Sequence, residues 1–385
     1  MRIGIMLRHI RQQEGGVKVY TLNLLPRLFA LGQEHHFVLM YQSPDMLGTF
    51  ADYPNVSEVV ARLPGKALWD QLAVPWLAHH EHLDLIFNPK LTIPFFFTSA
   101  KKVYVVHGAE KFAIPEHFRM LDRLYFQRFM PLYARRADGI VAVARGVREE
   151  VIKHLHAAPD KVFAIYNGFD PKTFQRVTDV DRLRDVRERY HLPERFLLWA
   201  GQIESRKNVG RLLEAFARVS TRFPHSLVLA GEQRWNSRPE LEVIRKLGLF
   251  DRVSMPGWIP HADLAAVYSL ADLFVFPSLF EGFGIPLIEA MACGCPIVTA
   301  RTGSPPEVVD GAARLVDPLD VEDIANGITE VLENEELRTR LVARGLQRAT
   351  LFSWDTCARE VLNACDQLVP AYRGTGQISP RHTYQ

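Results

Sequence analysis

At 385 residues the chain is too long for one ordinary core and fits two domains. Its composition, 48% hydrophobic and 23% charged, excludes a disordered polymer, and no apolar run approaches the length of a membrane-spanning helix. A formal net charge of +2 gives no argument for a nucleic-acid partner, and the four cysteines, Cys293, Cys295, Cys357 and Cys365, show neither a zinc-site spacing nor a disulfide framework, so they read as small core residues in a reducing cytoplasm.

The N-terminal MRIGIMLRHIR has too short an apolar core for a signal peptide and reads as a first buried strand. Further strand candidates follow at HFVLMY, VSEVV, LDLIF, KKVYVV, GIVAVA and KVFAIYN, separated by helical spacing near residues 17–31, 68–80, 119–136 and 147–156. After a charged linker segment with a short surface helix around Val180 to Tyr190, the scheme repeats. FLLWAG, SLVLAG, RVSMPG, LFVFPS, PIVTA and ARLVD alternate with helices near 208–223, 239–247, 262–271, 286–293 and 321–334. Such alternation predicts α/β architecture: two Rossmann-like domains, each a mostly parallel sheet covered on both faces. The expected divisions are 1–172, 173–352, a C-terminal helix over 353–370, and a disordered tail over 371–385.

The stretch Phe276 to Val298 carries the densest chemistry. A buried strand ends near Ser278, Gly282 and Gly284 permit a tight turn, and Pro286 suits the first turn of a helix beginning near Ile285. Glu281 then lies on the loop at the strand's carboxyl end and Glu289 about one turn into the helix, so that both face one crevice with the amides of Phe283, Gly284 and Ile285. A solvated strand-to-helix connection explains the same residues when the stretch is taken alone. Upstream, GQIESRKN at Gly201 to Asn208 places Arg206 and Lys207 just before a helix, NGFD occupies Asn167 to Asp170, and Gly15-Gly16 sits between the first strand and the first helix.

Together, in this order, these motifs resemble the retaining glycosyltransferases of family 4, a resemblance that runs from Gly15 to about Trp354. It implies a GT-B fold, two Rossmann-like domains facing across a cleft, whose C-terminal helix crosses back to the N-terminal domain. It also implies a hexosyltransferase that takes its sugar, mannose or glucose type, from a GDP- or UDP-linked donor. No cofactor and no metal are expected. By the same resemblance Arg206 and Lys207 serve the donor diphosphate, Glu289 the ribose, and Glu281 the donor sugar, beside amides of Gly282, Phe283 and Gly284. His107, at the end of KKVYVV, approaches the sugar, Gly15 and Gly16 approach phosphate or acceptor, and Gly201 and Met255 belong to the donor site. Retention is attributed to attack on the face the diphosphate leaves, with a diphosphate oxygen helping to take the acceptor's proton.

The acceptor, a glycan, a lipid-linked glycan or a small molecule, is expected on the N-terminal domain. Between Lys101 and Lys161 twelve basic residues face seven acidic ones, interleaved with Phe112, Phe118, Tyr125, Phe126, Phe129 and Tyr133. Amphipathic helices with basic solvated faces and aromatic core faces account for this. So does peripheral contact with anionic membrane. An epimerase of the same architecture and a non-catalytic nucleotide-sugar sensor are the other functional classes left open.

Overall fold

In the computed structural model the described residues are 1–8, 10, 15–118, 120–231 and 238–369. The expected tail over 371–385 lies outside them. The chain separates into two compact units, one comprising Met1–Phe112, Arg119–Asn167 and the segment from Trp354 onward, the other Ala113–Phe118 and Gly168–Ser353.

The first unit contains seven parallel strands: β1 (Arg2–Met6), β2 (His36–Tyr41), β3 (Val56–Val60), β4 (Leu85–Asn88), β5 (Lys101–Val106), β6 (Gly139–Ala142) and β7 (Val162–Ala164). They are ordered β3-β2-β1-β4-β5-β6-β7. All four residues of β4 and of β6 are buried, the continuous apolar pattern required when both sheet faces are covered. The last helix, Trp354–Leu368, belongs to this unit and packs on the helix Gly16–Leu31. Trp354 meets Tyr20 edge-on, their ring centroids 5.7 Å apart. Cys357 and Cys365 lie buried in that helix, as Cys293 and Cys295 do in the other unit.

The second unit has six parallel strands: β8 (Phe196–Ala200), β9 (Ser226–Ala230), β10 (Val253–Gly257), β11 (Leu273–Phe276), β12 (Ile297–Ala300) and β13 (Arg314–Val316). Their order is β10-β9-β8-β11-β12-β13. In both sheets strands are added first on one side of the opening strand and then on the other. The reversal falls between β1 and β4 in the first unit and between β8 and β11 in the second. Crossover helices on either side of such a reversal diverge, which leaves a crevice at the strands' carboxyl ends.

Most helices follow the apolar spacing within one or two residues, as at His261–Leu270 and Ile285–Ala292, while Val209–Val219 ends four residues before the expected 223. Two further details depart from the sequence reading. The segment 68–80 is a helical turn at Lys66–Leu68, a π turn at Trp69–Ala73 and an α-helix at Val74–His80, with Trp69 and Asp70 buried at the π turn. A short helix at Pro305–Val309 falls in a stretch of small residues and prolines without helical periodicity.

Three neighbouring strand ends in the second sheet carry glycine: Gly201 after β8, Gly231 after β9 and Gly257 closing β10. The Gly201 amide donates to Ala230 O at 2.9 Å and the Gly231 amide to Gly257 O at 2.8 Å. A Cβ on Gly231 would lie 1.7 Å from the Gly201 carbonyl oxygen. Gly231→Ala is therefore expected to cost at least about 2 kcal/mol in denaturant unfolding, since backbone rather than a flexible side chain must yield. A variant within about 0.5 kcal/mol of the parent would show that the Gly201 carbonyl retreats freely.

Candidate active site

The turn Ser205–Lys207 follows β8 and the loop 277–284 follows β11, so the reversal of the second sheet brings their side chains together. Lys207 Nζ donates to Glu281 Oε1 at 2.6 Å, and one Arg206 terminal nitrogen lies 3.3 Å from Glu281 Oε2. Arg206 Nε also reaches Glu204 Oε2 at 3.2 Å. Lys207 and Glu281 are almost completely buried, at 8% and 6% exposure. The Lys207 ammonium stands 4.7 Å from the centroid of the Phe276 ring, whose face favours a cation.

Burial acts against ionisation of Glu281, but Lys207 and Arg206 hold its carboxyl below the usual carboxylate range. Burial, with Arg206, holds the Lys207 ammonium below the usual lysine range despite Glu281. Each charge thus depends on its partner. Arg206, at 28% side-chain exposure, is the more accessible of the two cations.

The backbone around the cluster is pinned. Leu279 N donates to Arg206 O at 2.8 Å, tying the two loops directly. Asn208, in the left-handed region at φ 60°, donates through Nδ2 to Pro277 O at 3.0 Å and Pro318 O at 2.6 Å. From the loop after β12, Ser304 N reaches Glu281 O at 3.2 Å, and Thr302 Oγ1 reaches Leu279 O at the same distance. Asn208 stands in the GQIESRKN motif, where its position directly after two cations was the available signal. The Thr302–Ser304 clamp had none.

The helix Ile285–Ala292 begins at the expected residue, with Gly284 before it at φ 90° and Pro286 in its first turn. Phe283 packs edge-on against Phe352, with ring centroids 5.6 Å apart. Gly282 lies in the same loop. Glu289 is buried at 5% exposure and receives the Tyr268 hydroxyl at 3.5 Å. Burial pushes its carboxyl up to about 8, against a small opposing effect of the Tyr268 hydrogen bond, so near neutrality it carries a proton. Tyr268 comes from the helix His261–Leu270, and only the fold reveals it as a neighbour. Met255 lies half-buried in β10.

Gly15, Gly16 and His107 lie in the first unit. Gly15 has φ 108° and precedes the helix Gly16–Leu31, where a Cβ on Gly16 would meet nothing within 4 Å. His107 follows β5, and its Nε2 lies 2.7 Å from Pro89 O. A carbonyl only accepts, so Nε2 carries the proton and Nδ1 is left as the acceptor. Burial, opposed by that hydrogen bond and aided by Lys90, lowers the imidazole to about 4, and it is neutral. Among the described residues no group of three or more histidines, cysteines and carboxylates is gathered to hold a metal ion.

Residues 14–173 match the family described as Glycosyltransferase Family 4, and residues 184–348 the one described as Glycosyl transferases group 1. The chain belongs to the family 4 glycosyltransferases. This glycosyltransferase is 27% identical over 387 residues to O-antigen chain mannosyltransferase B of Escherichia coli, covering 94% of this chain and 99% of that one. It is 33% identical over 250 residues to the serotype-specific mannosyltransferase WbdA of Escherichia coli, a match that takes in 62% of this chain and 30% of that longer protein. Among solved structures, HepE of Anabaena in complex with UDP-glucose superposes with a TM-score of 0.77 at 21% identity, over 95% of this chain and all of that one (100%). The fold is GT-B.

The Glu289 environment generates a pH test. Below about pH 4.5 both folded and unfolded chains hold this proton, whereas between about 4.5 and 8 only the folded chain does, so its contribution to stability falls as pH rises through that window. Glu289→Gln removes the decline. The melting temperature of the variant relative to the parent should therefore be higher at pH 8 than at pH 5, by roughly 5 °C. Parallel melting curves against pH would mean that Glu289 is ionised in the folded protein.

Proposed function

We propose that the chain is a retaining, metal-independent hexosyltransferase that moves mannose or glucose from a GDP- or UDP-linked donor to a glycan, lipid-linked or small-molecule acceptor. The observation that carries it is the Arg206–Lys207–Glu281 cluster at the strand-order reversal of the second sheet. The mannosyltransferase relatives favour a hexose, and UDP-glucose bound to HepE favours a nucleoside diphosphate donor.

In this reading the donor's diphosphate displaces part of the carboxylate contact of Arg206 and Lys207, and these cations stabilise the charge that grows as the bond from the anomeric carbon to phosphate oxygen breaks. The bonding electrons leave with the diphosphate. The acceptor hydroxyl attacks the anomeric carbon from the same face, and its proton goes to a diphosphate oxygen. Glu281 accepts hydrogen bonds from hydroxyls of the donor sugar while remaining ionised by its two cations. Glu289 meets the ribose diol as a neutral carboxyl that accepts one hydroxyl and donates to another, or as a carboxylate once its proton has left. His107, protonated at Nε2 by the geometry of Pro89, offers Nδ1 as an acceptor to a sugar hydroxyl.

Arg206→Ala and Lys207→Ala should each lower kcat about 10²–10³-fold. Far-UV circular dichroism should show a folded chain for Arg206→Ala, whose side chain is the more exposed. The assay is sugar transfer, with and without a chelator. Undiminished turnover in both variants would remove the diphosphate assignment, and activity lost to the chelator and restored by magnesium or manganese would remove metal independence. Conversion of the donor alone into an isomer, without transfer, would favour the epimerase class.

Membrane contact of the first unit is part of the proposal. The helix Met120–Arg136 turns Met130, Tyr133 and Ala134 inward but leaves Met120, Leu124, Phe129 and Leu132 exposed beside Arg123 and Arg128. The expected arrangement of aromatic core face and basic solvated face is thus altered: part of the apolar surface lies on the basic side. That combination suits the boundary of an anionic bilayer. Sedimentation with acidic vesicles should exceed that with neutral ones, decline with salt, and fall on charge reversal at Arg123 and Arg128. Equal sedimentation with both vesicle types would end this part of the proposal. Arg119, also basic in this stretch, lies outside the described residues.

A further inference from the structure

His107 follows β5 at the carboxyl edge of the first sheet, and its Nε2 donates to Pro89 O at 2.7 Å. A bond of this kind fixes one point of the imidazole but not its plane, because the torsion that turns the ring is soft and close to two-fold. Rotation of the ring swings Nδ1 away and brings a ring C–H into its place. A second constraint comes from Tyr20. Its ring meets the imidazole at a centroid distance of 4.9 Å and an interplanar angle of 82°, an edge-to-face contact that does set the plane.

Tyr20 lies fully buried in the helix Gly16–Leu31. Trp354, which opens the last helix, meets it edge-on with ring centroids 5.7 Å apart and planes at 73°, so the ring that holds His107 is itself held. The Tyr20 hydroxyl has the Cys357 thiol as its neighbour, and among the described residues no nitrogen or oxygen partners it. Sulfur is a weak acceptor, so the ring rather than the hydroxyl is what Tyr20 brings to His107. All of these residues belong to the first unit. Burial, aided by Lys90 and opposed by the Pro89 bond, already keeps the imidazole neutral, and what remains to be set is its direction.

We propose that Tyr20 is a positioning residue for His107, fixing the plane of the imidazole so that Nδ1 keeps one direction, and that Trp354 completes the device by holding Tyr20. The proposal rests on the transferase reading for what Nδ1 meets, a hydroxyl of the donor sugar, and on the ring geometry of the first unit alone for the positioning. It makes the seating of the last helix a condition for the orientation of a side chain at the end of β5.

Long-range proton–nitrogen NMR spectra of the full chain, with His107 assigned by the signals missing from His107→Ala, read the ring directly. In the parent, His107 should keep the Nε2-protonated form and stay neutral down to its midpoint at about 4. Tyr20→Leu should admit water and a second ring orientation, so that the midpoint rises toward the ordinary 6.5 by at least about one unit and the Nδ1-protonated form appears. Trp354→Leu should move both in the same direction by less, and it reads the device if Tyr20→Leu does not fold. Tyr20→Phe keeps the ring and should match the parent. A kinetic cycle tests what the positioning serves: Tyr20→Leu should lower kcat for sugar transfer about tenfold in the parent and less than about twofold in His107→Ala, with little change in the donor KM. Equal losses in both backgrounds, parent-like spectra for Tyr20→Leu, or a His107 signal displaced by Tyr20→Phe would overturn the positioning role. Full kcat in His107→Ala would count instead against the sugar contact of His107 in the transferase reading, and the spectra alone would then judge Tyr20.

Discussion

Lys207 and Glu281 are 2.6 Å apart, and neither is tenable in its surroundings without the other. Removing one member of a buried pair costs about 3–5 kcal/mol because the remaining charge has no water to turn to. The pair therefore ties the loop after β8 to the loop after β11 at the place where the second sheet changes direction. Much of the nearby backbone serves the same junction: the Leu279 amide on Arg206, the Asn208 amide bridging Pro277 and Pro318, and Ser304 on the Glu281 carbonyl. A ligand that draws the cations away from Glu281 must supply equivalent charge at once, which restricts occupants to strongly anionic groups. In the proposed reading, selectivity for a diphosphate donor rests on this electrostatic demand.

Glu281 and Glu289 show how two carboxylates eight positions apart take opposite states. Glu281 is buried with two cations and stays ionised; Glu289 is buried beside a hydroxyl and holds its proton. Burial is the leading influence on both, so the neighbours decide the sign. Titration of the two across neutral pH is accordingly expected to belong to Glu289, and His107, already neutral and hydrogen-bonded to Pro89, contributes little there.

Most of the strand and helix order was legible because parallel sheets covered on both faces leave uninterrupted apolar runs, as in FLLWA and LFVF. The helix start at Ile285 was legible because glycine and proline restrict backbone angles locally. Local signals do not extend to partners far apart in the chain. Nothing in the spacing of Glu289 announces Tyr268, and nothing in His107 announces Tyr20, because both pairings depend on how crossover helices settle on a sheet. The helix Met120–Arg136 shows a different limit: amphipathic spacing marks two faces but does not say which apolar residues a neighbouring element will cover. Glu289 illustrates the same limit for charge, since its protonation follows from a burial that sequence position does not reveal.

The last described helix, Trp354–Leu368, completes the cover of a unit whose sheet is finished by Ala164. During synthesis the groove beside Tyr20 and the helix Gly16–Leu31 therefore stays open while the whole second unit is being made. At ordinary translation rates that interval is on the order of ten seconds or more. The first unit to be synthesised is consequently the last to close, and its apolar groove passes through a period in which other chains or chaperones have access to it. Changes to the sequence after Ser353 are felt first by residues near the beginning of the chain.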